Sequence, residues 1–524
     1  MLKHFNIWYV SSFIISFIVA IPILTVFSSF FDDTSNYFDI LKETFLAEYI
    51  FNSFVLLVGV MLLTFVIGTG TAYLVSFYKF PGSNFFKWAL ILSFAVPPYI
   101  YAYSLTAFFE NYGTAFTILK NLLGEGNYNK SIPKFDGMVG AILSLSFSLF
   151  SYIYILTRAS FLYQSQNLID LGRNLGFSKK KSFFSIILPS ARPAIVAGLS
   201  LVAMETLSDF GAVSLMRYST VTKAIYSYYT FKIDGDPVIF YSGLLMILAL
   251  ALSVLQRSTR LARSAAVSGT PRLANRQQVS LRNRVLIYIL LGTLVTLSLI
   301  LPVSVLSYWL IRGLNAGNDV RAAFGGVLGS FTTSFITSIA AMIVATPVVI
   351  MISQYRSRLG RFIERVMLAL YGLPHIAVGV SLLFISIKIF PSIYQSFYAL
   401  VISYLIVFLP QAVGAGEASM EQVRRSYLDA SQGLGMTEFE TFRKITFPLI
   451  YRGLVAGGAL VFLSTMKELP QTLLLRPTGL NTMAVDIWSY ASEGLFTQAA
   501  FSSFILLAIS AFPTYILSTR DLVK

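Results

Sequence analysis

Apolar stretches of membrane-crossing length alternate with short polar stretches along almost the entire chain. A helix needs about 20 mostly apolar residues to cross a bilayer, and such windows fall near 7–30, 50–77, 86–109, 137–157, 192–215, 238–256, 285–310, 328–353, 364–390, 393–414, 452–475 and 499–519. The pattern predicts an all-α polytopic membrane protein of about twelve spans. The first apolar stretch is longer than the roughly 7 to 15 residues of a signal-peptide core, and no small-residue cleavage site precedes Phe30-Phe31-Asp32-Asp33. It is therefore expected to be an uncleaved first span.

The polar stretches set the expected orientation, because loops on the cytoplasmic side are enriched in Lys and Arg. With the N-terminus inside, the first outer loop carries Asp32, Asp33, Asp39, Glu43 and Glu48 against Lys42. The inner loops carry Lys79 and Lys87, then Arg158, Arg173, Lys179, Lys180, Lys181 and Arg192. Later inner loops carry Arg356, Arg358, Arg361 and Arg365, then Arg424, Arg425, Arg443, Lys444 and Arg452. Both termini are then cytoplasmic. Residues 257–284 hold seven arginines and no acid, with Ser, Gly and Pro interrupting any helix, and are expected to link two six-span halves, 1–256 and 285–524.

Composition narrows the chemistry. Hydrophobic residues make up 56% of the 524 and charged residues 12%, where a soluble domain carries about a quarter. The formal charge of +15 sits mostly in short inner loops, which fits topology and contact with membrane lipid and argues against nucleic acid as a partner. With no cysteine and only His4 and His375, disulfides, thiolate metal sites and cysteine nucleophiles are excluded, and so is a multi-histidine site within the chain.

The two halves match. A shift of 259 positions, the separation of Gly176 and Gly435, also superposes Pro189 on Pro448, Ile195–Gly198 on Leu454–Gly457, and Asp209 on Glu468. Six spans per half make the repeats parallel in the membrane. The repeated phrase reads "RNLGFSKKKSFFSIILPS" at 173–190 and "QGLGMTEFETFRKITFPLI" at 432–450, in the inner loop between the fourth and fifth spans of each half. Its mixed polar and apolar positions suit short amphipathic helices on the membrane face. The glycine can take positive φ and end one helix, and the proline can begin the next span. The phrase is expected to form an elbow.

These residues resemble the signature of inner-membrane permeases of bacterial ABC importers, E-A-A-x-x-x-G-x9-I-x-L-P. The first copy supplies Asp170, Leu171, Gly172, Gly176, Ile186, Leu188 and Pro189; the second supplies Asp429, Ala430, Ser431, Gly435, Ile445, Phe447 and Pro448. Asp replaces Glu in both copies. "METLSDFGAVSL" at 204–215 and "MKELPQTLLLRPTGLNTMAVDIWSYASEG" at 466–494 resemble the fused two-repeat permeases of ferric-iron importers. The resemblance implies the type I ABC importer permease fold in the bacterial inner membrane, with ferric iron as cargo and thiamine or another small solute as the alternative. It further implies an extracytoplasmic binding protein and two cytoplasmic ATPase subunits, each taking one elbow. The chain has no G-x-x-x-x-G-K-[ST] loop, so no catalytic residues or cofactor are assigned to it; ATP and Mg belong on the ATPase. An ion-gradient-driven transporter and a non-transporting scaffold are the competing classes.

Charges inside spans normally face a cavity or a partner. Glu205 and Asp209, four apart on one expected helical face, and Lys467 and Glu468 in the matching span, are candidates for the pathway. Glu205, Asp209 and Glu468 offer oxygen donors to a hard cation; alternatively, Lys467 pairs with one of these acids. Met204 and Met466 are expected to pack; His375, beside Pro374, is a candidate to line the path and is expected instead to neighbour a helix kink.

Overall fold

A computed structural model describes residues 7–29, 45–111, 113–124, 126, 132–232, 235–261, 277–355, 357–370 and 372–520. The acids expected in the first outer loop up to Glu43, most of the basic linker, and Arg356 lie outside these residues. Nearly everything described is helical; the one strand pair joins Tyr78–Lys79 to Gln277–Gln278 in parallel.

Among the described residues, seven helices are long and apolar enough to cross a membrane: Ile7–Ser28, Leu46–Phe77, Gly137–Leu162, Leu281–Asn315, Ala323–Tyr355, Phe397–Met420 and Glu438–Met466. Three bent helix pairs occupy the third, fifth and ninth places of the expected series, and two shorter apolar helices, Pro237–Ser253 and Phe496–Ala511, occupy the sixth and twelfth.

The third and ninth spans are not straight. Ser83–Ala95 turns by 92° into Pro98–Leu123, and Arg358–Leu370 by 106° into His375–Lys388. A residue before proline is pushed out of the helical region; Pro97 (ψ 151°) precedes Pro98, and Pro374 (ψ 124°) caps the second arm. Residues 364–370, expected to lie within the ninth span, belong to an amphipathic helix. It buries Gly360, Ile363, Met367 and Leu370, three or four apart, while Arg361 and Arg365 stay exposed.

The chain forms two compact units. One comprises 1–40, 234–250 and 324–485; the other comprises 41–233, 251–323 and 486–524. In the former, the first helix, Ile7–Ser29, packs on second-repeat elements: Trp8 meets Phe442 at 4.9 Å, Ser12 Oγ donates to the Pro347 carbonyl at 2.9 Å, and Ser381 Oγ donates to the Pro22 carbonyl at 3.1 Å. In the latter, residues 281–315 pack on first-repeat elements: Ser298 bonds Ser93 at 2.8 Å, and Tyr101 donates to the Leu297 carbonyl at 2.9 Å. Within each unit, then, a repeat's first span is held by helices of the other repeat.

Candidate coupling elbows and acid-capped helix breaks

Both elbows turn on a left-handed glycine, Gly176 at φ +68° and Gly435 at φ +76°. The carbonyls left over at each helix end are closed the same way: Phe177 N–H donates to the Gly172 carbonyl (2.9 Å), and Met436 N–H to the Ser431 carbonyl (3.1 Å). These are the long bonds of a Schellman C-cap, which requires positive φ at the residue between. Where the two arms approach, Gly172 faces Ser182, leaving no room for a Cβ. At the matching place in the second repeat, Ser431 Oγ hydrogen-bonds Thr441 Oγ1 at 3.0 Å. The repeat shift held the clue to this contact, because it pairs Gly172 with Ser431 and Ser182 with Thr441.

The prolines do not start new helices as expected. A π turn, with Leu188 N–H reaching the Phe183 carbonyl and Phe447 N–H the Phe442 carbonyl, occupies 183–187 and 442–446, and the helix runs on through Pro189 and Pro448. Of the two other π turns among the described residues, Thr296–Ile300 also lies two residues ahead of a proline, Pro302, and Tyr228–Lys232 does not. A proline lacks its N–H and its ring presses on the preceding turn; widening that turn to i→i+5 removes the conflict without ending the helix. Of the expected anchors, Ile186, Leu188 and Ile445 are half-buried and Phe447 is exposed; the fully buried side chains are Ile187 and Thr446.

The elbows are unlike in shape. In the first, the fourth span continues unbroken through Gly137–Asn174, about 57 Å of helix, so Asp170 is not on a separate short helix. In the second, a turn after Met420 separates the span from Arg425–Gly433, which carries exposed Asp429 and Ala430. Beyond the proline the contrast reverses: Lys180–Ser190 bends by 65° into Arg192–Ser208, whereas Glu438–Met466 is continuous. Pro193, matched by Arg452, accounts for the extra bend.

The expected pathway acids sit at helix ends. Arg192–Ser208 stops before Asp209, which is extended (φ −69°, ψ 129°), so Glu205 and Asp209 do not share one helical face. Asp209 Oδ1 instead accepts from the N–H groups of Ala212 and Val213 at 3.0 and 3.2 Å, capping Gly211–Leu215. Its repeat equivalent does the same: Glu468 Oε1 accepts from Gln471 N–H at 3.2 Å at the start of Pro470–Leu475. Glu468 Oε2 lies 2.7 Å from His375 Nδ1, at the first position after the 106° bend, and Glu205 Oε1 accepts from Tyr152 Oη at 3.0 Å. His375 is thus a kink neighbour, as expected, and also the unforeseen partner of Glu468. Lys467 closes the preceding helix, its N–H on the Ser464 carbonyl. Glu205 and Asp209 belong to one compact unit and Glu468 to the other. Among the described residues no group of three or more His, Cys, Asp or Glu is placed to hold a metal ion. Met204 and Met466 are buried packing residues.

The family model of binding-protein-dependent transport system inner membrane components matches this chain twice, over residues 65–266 and 338–520. The chain is 29% identical over 480 residues to an Fe(3+)-transport system permease protein of Haemophilus influenzae, covering 90% of each chain. It is also 23% identical to a molybdate/tungstate transport system permease protein of Thermococcus kodakarensis, over 41% of this chain and 78% of that one. A spermidine/putrescine transport system permease protein of Escherichia coli is 23% identical over 34% of this chain and 68% of its own length.

Proposed function

From the family of binding-protein-dependent transport system inner membrane components, to which this chain belongs, we propose that it is the transmembrane permease subunit of an ATP-driven importer and carries ferric iron into the cytoplasm. The observation that carries the coupling is the pair of elbows. Each has a left-handed glycine, a π turn and a proline in one fixed spacing, 259 positions apart. A cytoplasmic ATPase subunit seats against each elbow, and closure of the ATPase pair moves the two arms. The elbow contacts differ, since residues 158–192 carry six basic groups and one acid, while 417–452 carry five of each.

Iron as cargo rests on likeness over 90% of each chain to an Fe(3+)-transport system permease protein. Asp209 and Glu468 serve this function by capping helix breaks, and no group of three or more His, Cys, Asp or Glu among the described residues is placed to trap a trivalent ion. An extracytoplasmic binding protein delivers the cargo. The test reconstitutes the permease with its ATPase and binding protein and compares uptake of ferric iron and thiamine. Iron uptake that needs ATP hydrolysis supports the proposal; thiamine uptake without iron uptake refutes the cargo, and uptake without ATPase refutes the class.

A further inference from the structure

Outside the elbows and helix breaks, two buried cations, Arg158 and Lys87, lie on neighbouring helices, Gly137–Asn174 and Ser83–Leu92. Arg158 and Lys87 are each 6% exposed. Arg158 Nε is buried without a hydrogen-bond partner, and no carboxylate among the described residues forms an ion pair with this guanidinium. Burying such a charge without a counter-charge is strongly unfavourable.

Its place follows from an antiparallel ladder. Ser151 Oγ donates to the Leu90 carbonyl at 2.7 Å, and Tyr154 Oη to the Lys87 carbonyl at 3.3 Å. One turn further on, Arg158 is level with Ser83 and Asn84, the start of helix Ser83–Leu92. That start has no side-chain cap: Gly82 at φ +74° precedes it, and a Cβ there would meet open space. The N–H groups of Asn84 and Phe85 have no acceptor outside the helix among the described residues. Lys87 Nζ reaches Asn84 Oδ1 at 2.6 Å in the same turn. A helix N-terminus carries partial positive charge and accepts anions, so the helix start, Lys87 and Arg158 add positive charge at one level of the two helices.

We propose that this helix start, beside the open space at Gly82, binds the phosphate of an anionic phospholipid, with Arg158, Lys87 and the first-turn N–H groups as its ligands. The surroundings favour a lipid over a free anion. Phe85, Phe86 and Trp88 make edge-on ring contacts, Phe80 and Tyr288 join them, and Tyr288 Oη donates to the Pro81 carbonyl at 2.8 Å. Aromatic residues gather in this way at the headgroup level, and basic pockets between spans take lipid headgroups. Arg158 follows directly on the apolar stretch 137–157.

The experiment purifies the full chain and quantifies co-purifying phosphatidylglycerol by lipid extraction and native mass spectrometry, with phosphatidylcholine and millimolar inorganic phosphate as competitors. Arg158→Gln and Lys87→Gln are expected to retain about fivefold less phosphatidylglycerol each, and Arg158→Lys to retain most of it. Unchanged retention in both glutamine variants, or equal retention of phosphatidylcholine, overturns the proposal. Complete displacement by inorganic phosphate assigns the site to a free anion and overturns the lipid. Should Arg158→Gln not fold, Lys87→Gln and Arg158→Lys still decide. The readout needs no transport, so its failure is distinct from failure of the proposed function.

Discussion

Gly176 and Gly435 hold φ values of +68° and +76°, a region that disfavours a residue with a Cβ by about 1–2 kcal/mol. Gly435→Ala is expected to loosen the second elbow by about that amount, read as earlier protease cleavage between 425 and 441 with the rest of the chain intact. Asp209 gives a sharper test. As a cap it needs only a side-chain oxygen, so Asp209→Asn should leave stability and transport near wild type, whereas Asp209→Ala should lose about 1 kcal/mol. A cation ligand would instead fail on losing its charge, so transport abolished by Asp209→Asn alone would refute the cap. The glycines were legible because their spacing repeats. His375 as the partner of Glu468 was not, because the two lie 93 positions apart, and nothing in local periodicity links residues across that distance.

At the level of elements, hydropathy located the spans but not their bends. The Pro97-Pro98 and Leu373-Pro374 steps carried that information, since proline constrains its predecessor; a window average over about 20 residues dilutes it. Conversely, Pro189 and Pro448, expected to begin helices, are carried inside helices by the π turns before them, as is Pro302. Pro193 is the exception, and the 65° bend at Ala191 follows from it. Pro193→Ala should straighten this helix. Because the chain has no native cysteine, spin labels at introduced cysteines replacing Lys180 and Leu201 can read the change. Straightening lengthens their separation by about 5 Å; an unchanged distance would place the cause of the bend elsewhere.

For the whole molecule, the duplication visible in sequence and the compact units are different divisions of the chain. The repeat shift shows which residues correspond, but carries no information on which helices pack together. The helix Ile7–Ser29 is held by Tyr355, Pro347 and Phe442, all from the second repeat. Expressed alone, residues 285–524 would lack that helix and expose the surface it covers. Recovery as a monodisperse species by size-exclusion chromatography is expected only on co-expression with 1–284. Full recovery of the second half alone would contradict the exchange.

In the proposed function, two elbows transmit the work of a separate ATPase to this chain. The decisive experiment measures ferric-iron uptake and ATP hydrolysis together in proteoliposomes containing the complete transporter, with Gly172→Val and wild type side by side. A valine there collides with Ser182 and wedges the elbow arms apart. Uptake per ATP hydrolysed is expected to fall at least about tenfold, the effect of roughly 1.4 kcal/mol of lost coupling, while the ATPase stays bound and active. An unchanged ratio of iron to ATP would contradict it.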